Sequence, residues 1–294
     1  MSTETTTLPF DIGQLRLVAE AAGSPEDPPV VLLHGGGQTR HAWRWAVVEL
    51  AKNGFYALAY DMRGHGDSAW ASDGNYSLDR LCDDVGGILA SLDRPAALVG
   101  ASVGGATALL TAAERNVDIT ALVLVDIATR FAPRGANQIS GFMTAYPEGF
   151  SSLEEASGVI AAYLPERPPR RDLSGLRKNL RLGSDGRWRW HWDPKFMFGE
   201  HQPRVSLQTE RLDRSVVGLG DRGVPILLVR GERSELILPE AIDHFKSLAP
   251  AARHVDVSGA GHMVAGDQND KFGEAIISFL RETVLQRDPR DGVR

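Results

Sequence analysis

The residues best suited to chemistry lie in GASVG at 100–104, which follows the apolar run AALV and leads into the helix-like GATALLTAAER. A Gly-x-Ser-x-Gly between a strand and a helix makes a sharp, strained turn that lifts a serine hydroxyl off the backbone. Its glycines remove side chains that would collide there. Ser102 is therefore the candidate nucleophile. A serine hydroxyl needs a base, and the base needs an acid to orient it, in the chain order serine, acid, histidine for this kind of turn. Of the eight histidines, His262 stands in the Gly-rich SGAGHMV just after the strand candidate RHVDV (253–257), which suits a general base in a loop. The others read mostly as surface or turn residues. An acid is offered by GERSELILPE, which follows the strand candidate ILLVRG (226–231) and contains Glu232 and Glu235. Local sequence does not separate these two. Asp126, closing the run LVLVD, is a further candidate, although it also suits bracing the turn that follows. In VVLLHGGGQT, Gly35, Gly36 and Gly37 let bare amides approach an oxyanion, and the amide of Val103 would supply a second donor.

These residues need a frame. Short runs rich in Val, Ile and Leu recur at 30–34, 56–61, 96–101, 121–126 and 226–231, with helix-length segments between most of them. Such runs predict strands covered on both faces, hence a parallel sheet with crossover helices. PFDI (8–11) and QLRLVAE (14–20) predict an antiparallel hairpin at an edge. The alternation stops after Asp126 and resumes near Val224, which predicts a core of residues 1–127 and 216–294 and an inserted cap at 128–215. Within the insertion, SSLEEASGVIAAYL (151–164) predicts a helix, and RLGSDGRWRWHW predicts two short strands about a Ser-Asp-Gly turn. Trp188, Trp190 and Trp192 alternate there and would share one face. The polar MSTETTT and the charged QRDPRDGVR at the two ends predict frayed termini.

With 294 residues, 43% hydrophobic and 24% charged, the chain can bury a full core. A net charge of -6 gives no general attraction for nucleic acid or an anionic membrane, so a small molecule is the expected partner. The single cysteine, Cys82, excludes an intramolecular disulfide and a multi-cysteine metal site, and it reads as a small buried hydrophobe. No secretory leader pattern is seen and the apolar runs are too short to span a bilayer, so the cytoplasm is the expected location. No metal or cofactor is expected. The oligomeric state is not legible.

With these motifs in place the chain resembles the α/β-hydrolase superfamily. VLLHGGGQTRHAW, YDMRGHGDS, LVGASVGG, ILLVRGERSEL and GAGHM match it in identity, order and spacing over nearly the whole chain. The resemblance implies an eight-stranded, mostly parallel sheet with helices on both faces and a mainly helical cap inserted after the sixth strand. It implies Ser102 as nucleophile, His262 as base, Glu235 as acid, and oxyanion amides on Gly36 and Val103. In DMRGHGDS (61–68), Asp61, Arg63 and Gly66 are expected to be structural. The family usually carries Asp where this chain has Glu235, so Asp126 stays as the alternative acid. Relatives with an Asp nucleophile break epoxides or carbon-halogen bonds; a serine points to acyl transfer instead.

The function this implies is hydrolysis of a carboxylic ester or lactone of a small, largely apolar substrate through an acyl-enzyme. Carbon-carbon bond hydrolases and cofactor-free haloperoxidases or perhydrolases share the motifs, and a non-catalytic small-molecule receptor is the alternative of another class. Phe142, Met143, Tyr146, Trp190 and Trp192 of the insertion are expected to line an apolar cavity, with Gly37 and Met263 beside the catalytic loops. Residues 160–200 hold nine Lys/Arg against five Asp/Glu, and a basic rim of this kind would favour substrates bearing a carboxylate.

Overall fold

A computed structural model describes residues 4–163, 173–261 and 272–286. Its main sheet has eight strands: β1 (Thr6–Ile12), β2 (Leu15–Ala22), β3 (Pro29–Leu33), β4 (Tyr56–Tyr60), β5 (Ala96–Ala101), β6 (Ile119–Val125), β9 (Ile226–Gly231) and β10 (Arg253–Val257). They lie in the order β1-β2-β4-β3-β5-β6-β9-β10. The expected edge hairpin is present, with β1 and β2 antiparallel about Gly13 at φ +61°. Strand β2 also runs antiparallel to β4, and every pair from β4 onward is parallel. The sheet is therefore the mostly parallel one implied by the motifs.

The period of two along each strand sorts the core into two layers. Val31, Leu33, Leu98, Leu122, Leu124 and Leu228 face one layer, and Val30, Leu32, Val99, Val123, Val125 and Val229 face the other. On the first side lie α2 (Leu78–Leu92), α3 (Val103–Glu114), α7 (Thr209–Asp221) and α8 (Pro239–Leu248). On the second lie α1 (Arg44–Lys52) and α9 (Gly273–Leu280). Central strands with no solvent face need side chains that are apolar on both sides, and the sequence supplies them. Cys82 is free and buried in the first layer, and burial pushes its thiol up to about 11, as suits a packing residue. No helix among the described residues is long and apolar enough to cross a membrane.

Between β6 and β9 the chain leaves the sheet. It forms α4 (Pro133–Thr144), α5 (Leu153–Tyr163), a small antiparallel pair β7 (Leu180–Leu182) and β8 (Trp188–Trp190), and the single-turn α6 (Lys195–Phe198), before returning through α7. The expected two short strands about Ser-Asp-Gly are thus formed. The three tryptophans do not act as one row, because the strand ends at Trp190. Trp190 and Trp192 stack with ring centroids 4.8 Å apart, whereas Trp188 lies under the Arg177 guanidinium.

Candidate active site

Ser102 sits between the end of β5 and the start of α3 at φ +50°, ψ -122°, a region that L-residues rarely adopt. The three glycines around it explain how the turn can be so tight. A Cβ on Gly100 would lie 2.4 Å from the Gly104 carbonyl oxygen, one on Gly104 would lie 2.4 Å from the His34 carbonyl oxygen, and one on Gly105 would lie 2.4 Å from Ile127 Cγ2. The Ser102 amide donates to the Val125 carbonyl at 3.0 Å, which ties the turn to the end of β6. The N-terminus of α3 thus begins at the hydroxyl, with its free amides and positive dipole end toward it.

The loop after β3 meets this turn. A Cβ built on Gly35 would stand 3.5 Å from Ser102 Cβ, and one on Gly36 would stand 3.7 Å from Val103 Cγ1. The sequence-predicted oxyanion residues Gly36 and Val103 are therefore brought together beside Ser102. The loop is held rigidly. Gly35 N-H donates to Gln38 Oε1 at 2.9 Å, and Gly37 N-H donates to His65 Nε2 at 3.2 Å. His191 closes the bracket: its Nδ1 accepts from the Gly66 amide at 2.7 Å, so its ring proton sits on Nε2, 3.3 Å from the Gly37 carbonyl. His34 accepts the Met62 amide at Nε2 (2.9 Å) and faces the Gly35 carbonyl with Nδ1 (2.8 Å).

The histidines are where the sequence reading must be corrected. Read as surface or turn residues, His34, His65 and His191 are in fact buried to 2% exposure or less. Burial lowers His34 to about 4 and His65 to about 3, and it holds His191 well below its ordinary value. All three stay neutral, and each can then accept from one backbone amide and donate to one carbonyl. Their burial was not legible locally, because one backbone amide on each comes from a distant segment: Met62 for His34, Gly37 for His65 and Gly66 for His191. The three residues read as structural are built in as expected. Arg63 forks onto buried Asp84 with two 2.6 Å bonds, Asp61 accepts the Arg40 amide at 2.6 Å, and a Cβ on Gly66 would run into the Asp61 carboxylate.

The two carboxylates proposed for the acid lie in different surroundings. Asp126 follows β6 directly, is 3% exposed, and shares with Ser102 a φ of +50°. Its amide donates to the Val229 carbonyl at 2.7 Å. Its carboxylate accepts Gly231 N-H at 3.2 Å and Ser234 Oγ-H at 2.9 Å. Glu235 is exposed, and its carbonyl oxygen packs against Gly135 at the start of α4. Glu232 is exposed too, its carboxylate occupied by Ser258 Oγ and the Gly259 amide, which hold it below the usual range. Of the two carboxylates offered for the acid, Asp126 is therefore the buried one and Glu235 the exposed one. His262 and Met263 lie outside the described residues.

Of the residues expected to line the substrate cavity, two reach the loop. Met143 Cε lies 3.6 Å from a Cβ built on Gly36, and Trp192 Cζ3 lies 3.1 Å from one built on Gly37. Phe142 and Trp190 stand behind them: Phe142 stacks on Tyr163 at 4.2 Å, and Trp190 stacks on Trp192. Tyr146 departs from expectation, being 44% exposed with its ring against Phe150. Phe196, on the single turn α6, was not anticipated. Its Cε1 lies 3.5 Å from a Cβ on Gly36 and its ring meets His65 edge-on at 4.5 Å. An isolated KFMF carries no periodicity from which that contact could be read.

Residues 28–267 match the family model described as alpha/beta hydrolase fold, and the chain belongs to that family. It is 33% identical to an esterase of Mycobacterium tuberculosis over 265 residues, which is 86% of this chain and 82% of that protein. It is 28% identical to the 2-(acetamidomethylene)succinate hydrolase of Mesorhizobium japonicum over 277 residues, 92% of this chain and 93% of that one. A crystal structure of an E-2-(acetamidomethylene)succinate hydrolase superposes with a TM-score of 0.79 at 23% identity, covering 94% of this chain and 99% of the other. That of the M. tuberculosis esterase gives 0.70 at 30% identity, over 97% and 92%. These relatives support hydrolase activity on this fold.

Proposed function

We propose that the chain is a serine hydrolase that cleaves a carboxylic ester or lactone of a small, largely apolar substrate through an acyl-enzyme on Ser102. The observation that carries this reading is the strained Ser102 turn with the Gly36 loop set against it. Nucleophile and oxyanion donors must surround one carbonyl carbon, and this juxtaposition provides the place for it. In this reading His262 takes the Ser102 proton as the hydroxyl oxygen attacks the carbonyl. The Gly36 and Val103 amides hold the oxyanion, and the imidazolium then protonates the leaving alkoxide. Water, deprotonated by His262, releases the acid and restores Ser102.

The acid we assign is Asp126. A carboxylate that stabilises an imidazolium works best shielded from water and fixed by other donors, and Asp126 has both properties while Glu235 is exposed. Met143, Trp192 and Phe196 around the loop favour an apolar acyl or alcohol group. The test is a panel of p-nitrophenyl esters and lactones combined with fluorophosphonate labelling. Turnover that disappears in Ser102→Ala supports the reading. Labelling of Ser102 without turnover of any member would favour a receptor instead.

A further inference from the structure

A second site lies on the outer side of the Gly66 loop, at the junction with the inserted segment. It is a cleft of about 230 Å³ lined by Thr39, Arg40, His41, Gly66, Asp67, Arg177, Lys178 and Arg181. Four cations line it in a protein whose overall charge is -6. Their partners do not balance them. Arg40 is tied to Asp61 and, at 2.9 Å, to Asp67, while Arg181 reaches the other Asp67 oxygen at 3.0 Å. Two carboxylates thus face four cations, with a third, Glu20, 3.6 Å from the lining His41. Arg177 is held by its stacking on Trp188, 5.0 Å from the ring centroid, and among the described residues no carboxylate pairs with its guanidinium. Lys178 is exposed and has no carboxylate partner among the described residues. Arg40 Nε is buried with no hydrogen-bond partner among them.

We infer that this cleft binds the phosphoryl group of a small soluble molecule, at a site separate from Ser102. The net positive charge of the cleft suits a phosphoryl group, and a guanidinium fork beside an ammonium suits its tetrahedral oxygens. His65 and His191 bridge the cleft's Gly66 segment to the Gly37 end of the loop after β3, and Ser102 is not among the residues lining the cleft. A long polyanion is disfavoured by the acidic remainder of the surface, whereas a small anion needs only the local field, which acts within a screening length of roughly 8 Å.

The test is calorimetric titration of the full chain with inorganic pyrophosphate at low salt. Saturable one-to-one binding is expected, weakened roughly ten-fold in Lys178→Gln and again in Arg177→Gln, and unchanged in Arg80→Gln on the exposed face of α2. A parallel sedimentation with vesicles containing phosphatidic acid should show no Lys178-dependent capture. Absence of saturable pyrophosphate binding, equal affinity in Lys178→Gln and the parent, or capture by the vesicles alone would each overturn the assignment.

Discussion

Ser234 Oγ donates a 2.9 Å hydrogen bond to Asp126 Oδ2 across 108 residues of chain, fixing a buried carboxylate at the carboxyl end of β6 next to the strand that carries Ser102. Ser234 is itself held, since its oxygen accepts the Ile237 amide at 3.2 Å. The last residue of β9 and the loop after it therefore serve Asp126 with an amide and a hydroxyl, and the acidic residue beside that hydroxyl, Glu235, faces solvent.

This arrangement separates the two acids by experiment. Asp126→Asn should lower kcat for an activated ester by on the order of 10³–10⁴-fold, since an amide cannot stabilise the imidazolium and favours the wrong tautomer. Glu235→Gln should change it by less than about three-fold. Steady-state kinetics on one p-nitrophenyl ester decides between them, and the reverse ranking would return the role to Glu235.

The elbow has no room for a methyl group. Gly104→Ala would set a Cβ against the backbone carbonyls of both His34 and Leu33, which cannot give way as a side chain would. A loss of roughly 2–4 kcal/mol of stability is expected, read as a clear fall in Tm or as a failure to accumulate folded protein. Gly141→Ala on α4, where a Cβ meets nothing within 4 Å, should leave Tm unchanged or slightly raised.

Much of this was legible in the sequence, and the boundary has a physical cause. GASVG and the strands beside it announce themselves because backbone geometry and two-sided burial restrict residue type locally: Gly100, Gly104 and Gly105 admit no Cβ, and β5 admits no polar side chain. The sequence left the acid open between Glu235 and Asp126 because the burial of Asp126 depends on β9 and Ser234, far along the chain. His191 was missed for the same reason. Its Nδ1 partner, the Gly66 amide, lies 125 residues away, and a lone histidine looks the same whether it faces water or a backbone amide.

The buried histidines give the protein a pH dependence of defined sign. His34 and His65 have folded values of about 4 and 3, below the ordinary value of 6.5, so the unfolded chain binds more protons between those limits. Stability contributed by the neutral rings is full above about pH 6.5 and is lost as the pH falls through 6 toward 4. Urea unfolding at pH 7, 6, 5 and 4 should show this decline. In His65→Gln the decline should be shallower, because one depressed group has been removed; an unchanged slope would show that the ring titrates freely.

Met143 offers a handle on specificity. Its methyl group caps the Gly36–Gly37 loop, so Met143→Ala should enlarge the space beside the reacting carbonyl. The preferred acyl chain should lengthen by one or two carbons, with kcat/KM for the longer ester rising by roughly 5- to 20-fold relative to acetate. Chain-length profiles of the two proteins check this directly.

The central claim is a covalent bond to Ser102. Intact-mass spectrometry of the protein quenched within the first turnovers of a p-nitrophenyl ester, followed by peptide mapping, measures it directly. The expected result is a mass increase equal to one acyl group, located on Ser102 and missing in Ser102→Ala, together with a burst of p-nitrophenol close to one equivalent. Turnover with no acyl adduct on Ser102, or turnover preserved in Ser102→Ala, would contradict it.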